Sequence, residues 1–237
     1  MVTIAHCEAA QTCWYRCRAT LFGETWSDGP LTWMREDDAQ NLMFPTRIPG
    51  DALRRGLERA RDSGVRMVGA WLGSDVDASA LAAAGFERGW APWWMTAPVD
   101  VVGVADDPRV ELQQDTDDYR GEYAAYGASL ALTRQRPRHS WYAAAYDGPG
   151  GGFAGRAWSH LTGDTAGVFD MEVWPPFRRR GLGTGLLRAV VGAAAAAGAQ
   201  HAVLNATPEG KLLYESCGFR QIGAGITWWL PMPTRVP

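Results

Sequence analysis

Two stretches of this chain of 237 residues can be laid over one another. "GVRMVGAWLGSDVDASALAAAGFERGWAPWWM", beginning at Gly64, and "GAQHAVLNATPEGKLLYESCGFRQIGAGITWWL", beginning at Gly198, follow the same course. Each passes from a helix-ending glycine through a short apolar strand and a polar turn into a helix that stops at Gly-Phe, then into a strand with paired tryptophans. Gly85-Phe86 aligns with Gly218-Phe219, and Trp93-Trp94 with Trp228-Trp229. A repeat restricts the fold more than any one motif, since a single supersecondary plan must be buildable twice.

The segments before each stretch also correspond. "GDALRRGLERARDSG" sets Leu53, Leu57 and Ala60 on one helical face, as "GTGLLRAVVGAAAAAG" sets Leu186, Val190 and Ala194. Each copy therefore reads as strand, helix, strand, helix, strand. Between them "TAPVDVVGVADDPRV", with Pro98, Pro108 and adjacent acids, suits a connection. The expected domains are residues 1–100 and 101–237.

The second copy is the fuller one. "RVELQQ" predicts a short strand, Asp115 to Asp118 a helix start, and Tyr119, Tyr123 and Tyr126 the face of that helix. "HSWYAAAYDG", "FAGRAWSHLTGD" and "TAGVFDMEVW" predict three strands joined by hairpin turns. Pro175 and Pro176 end the last of them, because proline lacks the ladder donor and restricts its predecessor.

Composition narrows the function classes. At 46% hydrophobic and 21% charged, with no apolar run near the ~18 residues of a membrane span, a soluble globular protein is expected. The start, "MVTIAHCEAAQTCWYRCR", lacks a secretory pattern, so a cytoplasmic location is expected and no membrane partner. Net charge is -3, and neither half offers the dense basic stripe that a phosphate backbone demands, which argues against nucleic acid. Cys7, Cys13, Cys17 and Cys217 are not spaced like paired zinc knuckles; even with His6 beside the first three, no metal is expected.

"PPFRRRGLGTGLLRAVV", Pro175 to Val191, sets three arginines and three alternating glycines before an apolar helix. Backbone N–H groups at a helix start attract anions, glycine lets an anion approach, and arginine adds forked donors. A Walker loop would need a Gly-Lys pair, and there is no lysine here. A dinucleotide fingerprint would need a third glycine where Leu186 stands, and an acid that "HAVLNA" does not supply.

Arg-x-x-Gly-x-Gly, Arg178 to Gly183, is the signature of the GCN5-related N-acetyltransferases. "TPEGKLLYESCGF", Thr207 to Phe219, is similar to the Leu-Tyr-Glu-x-x-Gly-Phe segment that follows the fifth strand in that family. The resemblance covers about residues 108–230. It implies an α/β (α+β) chain of two such domains, each a mixed, mostly antiparallel twisted sheet flanked by helices, with central strands splayed in the C-terminal one.

It also implies acetyl-CoA as cosubstrate. Arg178, Arg179, Arg180, Gly181, Leu182, Gly183, Thr184 and Gly185 would bind its pyrophosphate. The backbone of Met171 and Val173 would meet the pantetheine arm, and Asn205 is a further coenzyme contact. An amine of pKa ~10.4 must lose a proton before it attacks. Asp170 and Glu172, two apart and so on the same face of the presumed fourth strand, are the candidate bases, with Asp170 ranked first. Val173 N–H is the expected oxyanion donor, and Tyr214 holds the place of the family's general acid. Cys217 has no histidine placed to activate it, and His139, His160 and His201 read as structural.

At the matching loop the first copy has "MFPTRIPGDALRR", which retains only Gly50 and puts Pro49 where a donor would be. Leu81 stands where the second copy has Tyr214. The first copy is therefore expected to be degenerate and to wall the acceptor pocket, with Trp26 and Trp33 as pocket candidates. The expected partner is a small-molecule amine, and the expected state a monomer or homodimer. A non-catalytic acyl-CoA sensor, or a transferase to a protein N-terminus or a hydroxyl, stays open.

Overall fold

The computed structural model describes residues 1–36, 38–113, 127–148 and 150–233. In chain order the first elements are α1 (Ile4–Phe22), β1 (Gly23–Asp28), β2 (Leu31–Glu36), β3 (Ala39–Met43), α2 (Gly50–Ser63), β4 (Met67–Gly73), α3 (Ser79–Ala83), β5 (Glu87–Arg88) and β6 (Trp93–Pro98). Then come α4 (Val99–Val102), β7 (Val110–Gln113), α5 (Gly127–Gln135), β8 (Ser140–Tyr146), β9 (Phe153–Thr162) and β10 (Thr165–Val173). The last are α6 (Leu182–Ala196), β11 (His201–Ala206), α7 (Lys211–Ser216) and β12 (Arg220–Pro231). The three strands expected between His139 and Trp174 are β8, β9 and β10. The helix start at Asp115 to Asp118, and Tyr119, Tyr123 and Tyr126, lie outside the described residues.

The chain forms two compact units: Met1–Trp14 with Trp93–Gly223, and Tyr15–Pro92 with Ala224–Pro237. In the first, β7, β8, β9 and β10 run antiparallel, α6 crosses to β11 parallel to β10, and β6 lies antiparallel on β11. In the second, β1, β2 and β3 run antiparallel, α2 crosses to β4 parallel to β3, and β12 lies antiparallel on β4. One plan of pairing thus appears twice.

These units are not the contiguous stretches 1–100 and 101–237. β6 follows α3 in the chain yet pairs with β11, and β12 follows α7 yet pairs with β4. β6 and β12 end the two repeated stretches and carry the matched tryptophan pairs, so either strand suits the edge it joins. The repeated glycines agree in conformation as well: Gly85 (φ 88°) and Gly218 (φ 85°) both end their helices in the left-handed region.

The expected helix faces are the buried ones. On α6, Leu186, Leu187, Val190 and Val191 pack on strand residues that are mostly small, Ala143, Ala145, Ala157 and Ala202, which lets the helix lie close to the sheet. Each such large aliphatic contributes about 1.5–3 kcal/mol by leaving water. On α2, Leu53, Leu57 and Ala60 join Leu31, Trp33, Leu42 and Leu72.

Trp33 is fully buried against the α2 backbone, where Gly56 leaves room for its ring. It is a core residue and not a pocket wall, because a large aromatic gains most from full burial. Trp26 stacks on Trp33 with centroids 6.2 Å apart and lies beneath the Arg59 guanidinium at 4.2 Å. No helix among the described residues is long and apolar enough to cross a membrane.

Candidate active site

β10 and β11 are paired only from Thr165–His201 to Val168–Leu204, although β10 continues to Val173 and β11 to Ala206. Beyond that point each is held from its other side. β10 stays on β9 through Glu172–Arg156 and Val173–Gly155, and β11 stays on β6 through Asn205–Trp94 and Ala206–Trp93. The strands therefore part with their outer edges anchored, and Met171 and Val173 belong to the freed length of β10.

The arginine loop begins where β10 ends, after a short 3-10 turn at Pro175–Phe177. Arg179 (φ 63°) and Gly181 (φ 85°) both enter the left-handed region, turning the chain sharply into α6. The first turn of α6 has no side-chain cap and no acidic residue. Its positive pole is left to an incoming anion.

The three arginines divide their work. Arg178 donates from Nε to the Val173 carbonyl at 2.8 Å. Arg180 pairs with Asp147 at 2.7 Å and donates to the Pro176 carbonyl at 3.0 Å. The Arg179 side chain is exposed, and no hydrogen bond or ion pair engages it among the described residues.

Sequence reasoning missed the clamp behind this loop. Arg109 donates to the Arg180 carbonyl at 2.9 Å and forks onto Asp107 at 2.9 and 2.7 Å, which holds the Asp107 carboxyl below the usual range. Its only trace is the pairing Asp-x-Arg in "DDPRV". The glycines also serve packing. A Cβ on Gly183 would meet Leu213 Cδ2 at 3.0 Å, and one on Gly185 would meet Val110 at 3.0 Å and Asp107 at 3.2 Å. Leu182 turns into the core, and Thr184 is half-buried.

Tyr214 sits on α7, buried beside Phe219, with ring centroids 6.0 Å apart. Burial pushes its phenol up to about 12, and Cys217 adds in the same direction. It is therefore a protonated donor at neutral pH. Cys217 is buried in the same core, and no histidine contacts it among the described residues.

The two carboxylates are not related by simple strand alternation. One extra residue is accommodated between Phe169, opposite Trp158, and Glu172, opposite Arg156, and Asp170 takes a positive φ of 46° there. Phe169 stacks on Trp14 of α1, while Met171 and Val173 pack on the α6 core. The bulge breaks the period of two that would place Asp170 and Glu172 on one face. Glu172 is in register with Arg156, whose Nη2 lies 3.3 Å from its Oε2.

Asn205 lies on β11 and donates to Gln11 Oε1 of α1 at 2.6 Å. His160 lies 2.6 Å from the Ser140 hydroxyl and 3.5 Å from the Cys13 sulfur, which fits a satisfied buried histidine. Arg156, buried beside the bulge, was also missed, and no motif in the sequence marks it.

With this geometry in view, comparison with known proteins adds a family. Residues 137–221 match the sequence model of the acetyltransferase (GNAT) domain. That part of the chain is similar to a GNAT domain. The match runs from the start of β8 through α7, so it contains the bulge, the arginine loop and Tyr214.

A GCN5-related N-acetyltransferase from Kribbella flavida is 16% identical with a TM-score of 0.67, each chain 98% covered. A tandem GNAT protein of the clavulanic acid biosynthesis pathway is 18% identical with a TM-score of 0.58, covering 86% of this chain and 79% of its own. A GNAT-family structure from Novosphingobium aromaticivorans is 20% identical with a TM-score of 0.56, covering 89% and 92%. At such identities these speak for the fold. A search of curated sequences gives no significant match. The match to this domain, together with the fold, supports an acyltransferase.

Proposed function

We propose that this protein is an acetyl-CoA-dependent N-acetyltransferase acting on the amine of a small molecule. The observation that carries the reading is the uncapped, acid-free start of α6, entered from the end of β10 where β10 has parted from β11. In this reading Arg179 and the backbone of Arg178 to Gly185 hold the pyrophosphate of acetyl-CoA, with the freed backbone of Met171 and Val173 along the pantetheine arm. Acetyl-CoA supplies the thioester. Asp170 or Glu172 takes the proton of the acceptor amine, Val173 N–H faces the charge that develops on the carbonyl oxygen, and Tyr214 gives its proton to the departing sulfur.

The internal repeat and the likeness to a tandem GNAT protein support reading residues 1–100 as a degenerate copy. A cytoplasmic monomer or homodimer goes with this reading. The test is purified protein with acetyl-CoA and a panel of primary amines, followed by release of free thiol. Amine-dependent release is expected. Tight acetyl-CoA binding with no release from any amine would favour a coenzyme sensor, and no binding at all would remove both.

A further inference from the structure

Arg156 stands near the middle of β9 and is only 4% exposed, where a cation is costly unless its donors are engaged. Its Nε donates to the Asp170 carbonyl at 3.4 Å and its Nη2 to Glu172 Oε2 at 3.3 Å. Its guanidinium carbon lies 5.0 Å from the Trp174 ring centre and 5.6 Å from that of Trp158. One planar cation, packed against two indoles, grips both the carbonyl of the bulge residue and the carboxylate two residues on. Such a fork has few other places to go.

We propose that Arg156 is the positioning residue of the acetyl-transfer site, fixing the β10 bulge through the Asp170 carbonyl and setting Glu172 as the carboxylate that takes the acceptor's proton. The inference rests on the N-acetyltransferase reading above. Glu172 suits the part because its side chain is 47% exposed, with Oε2 on Arg156 and Oε1 making no hydrogen bond among the described residues. Asp170 lies instead at the extra residue of the bulge, its carbonyl held by Arg156.

The step balances as follows. The acceptor ammonium gives one proton to Glu172, its nitrogen lone pair forms the C–N bond, and the C–S bond breaks as Tyr214 protonates the sulfur. The second nitrogen proton passes to solvent. Glu172 returns its proton to solvent and Tyr214 recovers one. Arg156 of β9 pairs with Glu172, Asp170 precedes it by two residues on β10, and Arg178 is tied to the carbonyl of the neighbouring Val173.

The experiment compares the full-length protein with Arg156→Lys, Arg156→Ala, Glu172→Gln and Asp170→Asn. The double variant Arg156→Ala/Glu172→Gln is added, because two residues that act through one another lose rate non-additively. With acetyl-CoA and spermidine, tyramine or glucosamine as acceptors, Arg156→Ala lowers kcat by about 10-fold or more, and the double variant is no slower than Glu172→Gln alone. The KM for acetyl-CoA changes little, and Arg156→Lys restores part of the rate.

A double variant slower than Glu172→Gln by the full loss seen in Arg156→Ala overturns the proposal, as does a turnover that is lost in Asp170→Asn and kept in Glu172→Gln. If Arg156→Ala does not fold, Arg156→Lys and Arg156→Gln carry the same readouts. If the wild type acetylates none of these amines, the transferase reading fails for them, while amide hydrogen exchange along β10, faster in Arg156→Lys or Arg156→Gln than in wild type if Arg156 fixes the bulge and unchanged if it does not, still decides the positioning role.

Discussion

The helices α2 and α6 occupy the same place in two sheets paired on one plan, yet they begin differently. α2 is entered through Pro49 at φ -65°, and its first turn carries Asp51, which meets Arg54 at 3.2 Å. α6 is entered through two left-handed residues, and its first turn has neither acid nor side-chain cap. At α2 the positive pole already faces a carboxylate, and at α6 it faces whatever arrives. The same contrast recurs one helix later, where Leu81 fills the core at α3 and Tyr214 brings a phenol at α7. A shared fold thus leaves one helix start able to bind an anion and one that serves packing.

The largest effect expected from this contrast falls on stability and spares the ligand. Trp33→Ala removes a fully buried indole from the α2 core and should cost about 3–5 kcal/mol, read as a lower denaturation midpoint. Acetyl-CoA affinity, measured by calorimetry well below the melting temperature, should stay within about twofold of wild type, a shift of under ~0.5 kcal/mol. A weakened Kd with unchanged stability would return Trp33 to a ligand pocket.

Next in size is Tyr214→Phe, expected to lower kcat by about 100-fold while leaving acetyl-CoA affinity unchanged. Its pH signature follows from burial. The folded phenol titrates at about 12, above the ordinary 10, so its share of stability is whole below pH 10 and is lost as pH rises through 12. That share is about 2–3 kcal/mol. Denaturant curves at pH 8 and pH 11 should therefore lie closer together in Tyr214→Phe than in wild type. Cys7, also pushed up to about 12 by burial, keeps its own share in both. A turnover equal to wild type in the variant would take Tyr214 out of the reaction.

What could be read from the sequence was what neighbours decide. Leu53, Leu57 and Ala60, like Leu186, Val190 and Ala194, mark a helix face by spacing alone, and all six are buried. The hairpin of β1 and β2 was not read, although Asp28-Gly29 is a turn signal and Gly29 takes φ 58°, because its tryptophans drew the reading towards a pocket. The exchange of β6 and β12 was not legible, because both carry paired tryptophans and pairing partners far apart in the chain leave no local mark. Within the site, the loop and Tyr214 came from motifs. The bulge at Asp170 did not, since no glycine or proline announces it, and Arg156 looks like any strand arginine until the bulge brings two acceptors to it.

The smallest effect probes the two helix starts directly. Gly183 is the second residue of α6, as Asp51 is of α2, so Gly183→Asp gives α6 the charge that α2 already has. Acetyl-CoA should then bind about 10-fold more weakly, because the new carboxylate takes the helix pole and repels a phosphate. Gly183→Ala separates charge from bulk. Its Cβ would press on Leu213 Cδ2 at 3.0 Å, the flexible end of a side chain that can yield, so the loss should be under about threefold, or ~0.7 kcal/mol. The converse change, Asp51→Asn, should confer no second binding event, since α2 is entered through Pro49 at φ -65° and lacks the left-handed pair that stands directly before α6, its one left-handed loop residue, Phe44, lying back at the end of β3. Equal losses in the alanine and aspartate variants would mean that the glycine is there for the close packing of α7, and the electrical difference between the two helix starts would then not explain which of them takes the coenzyme.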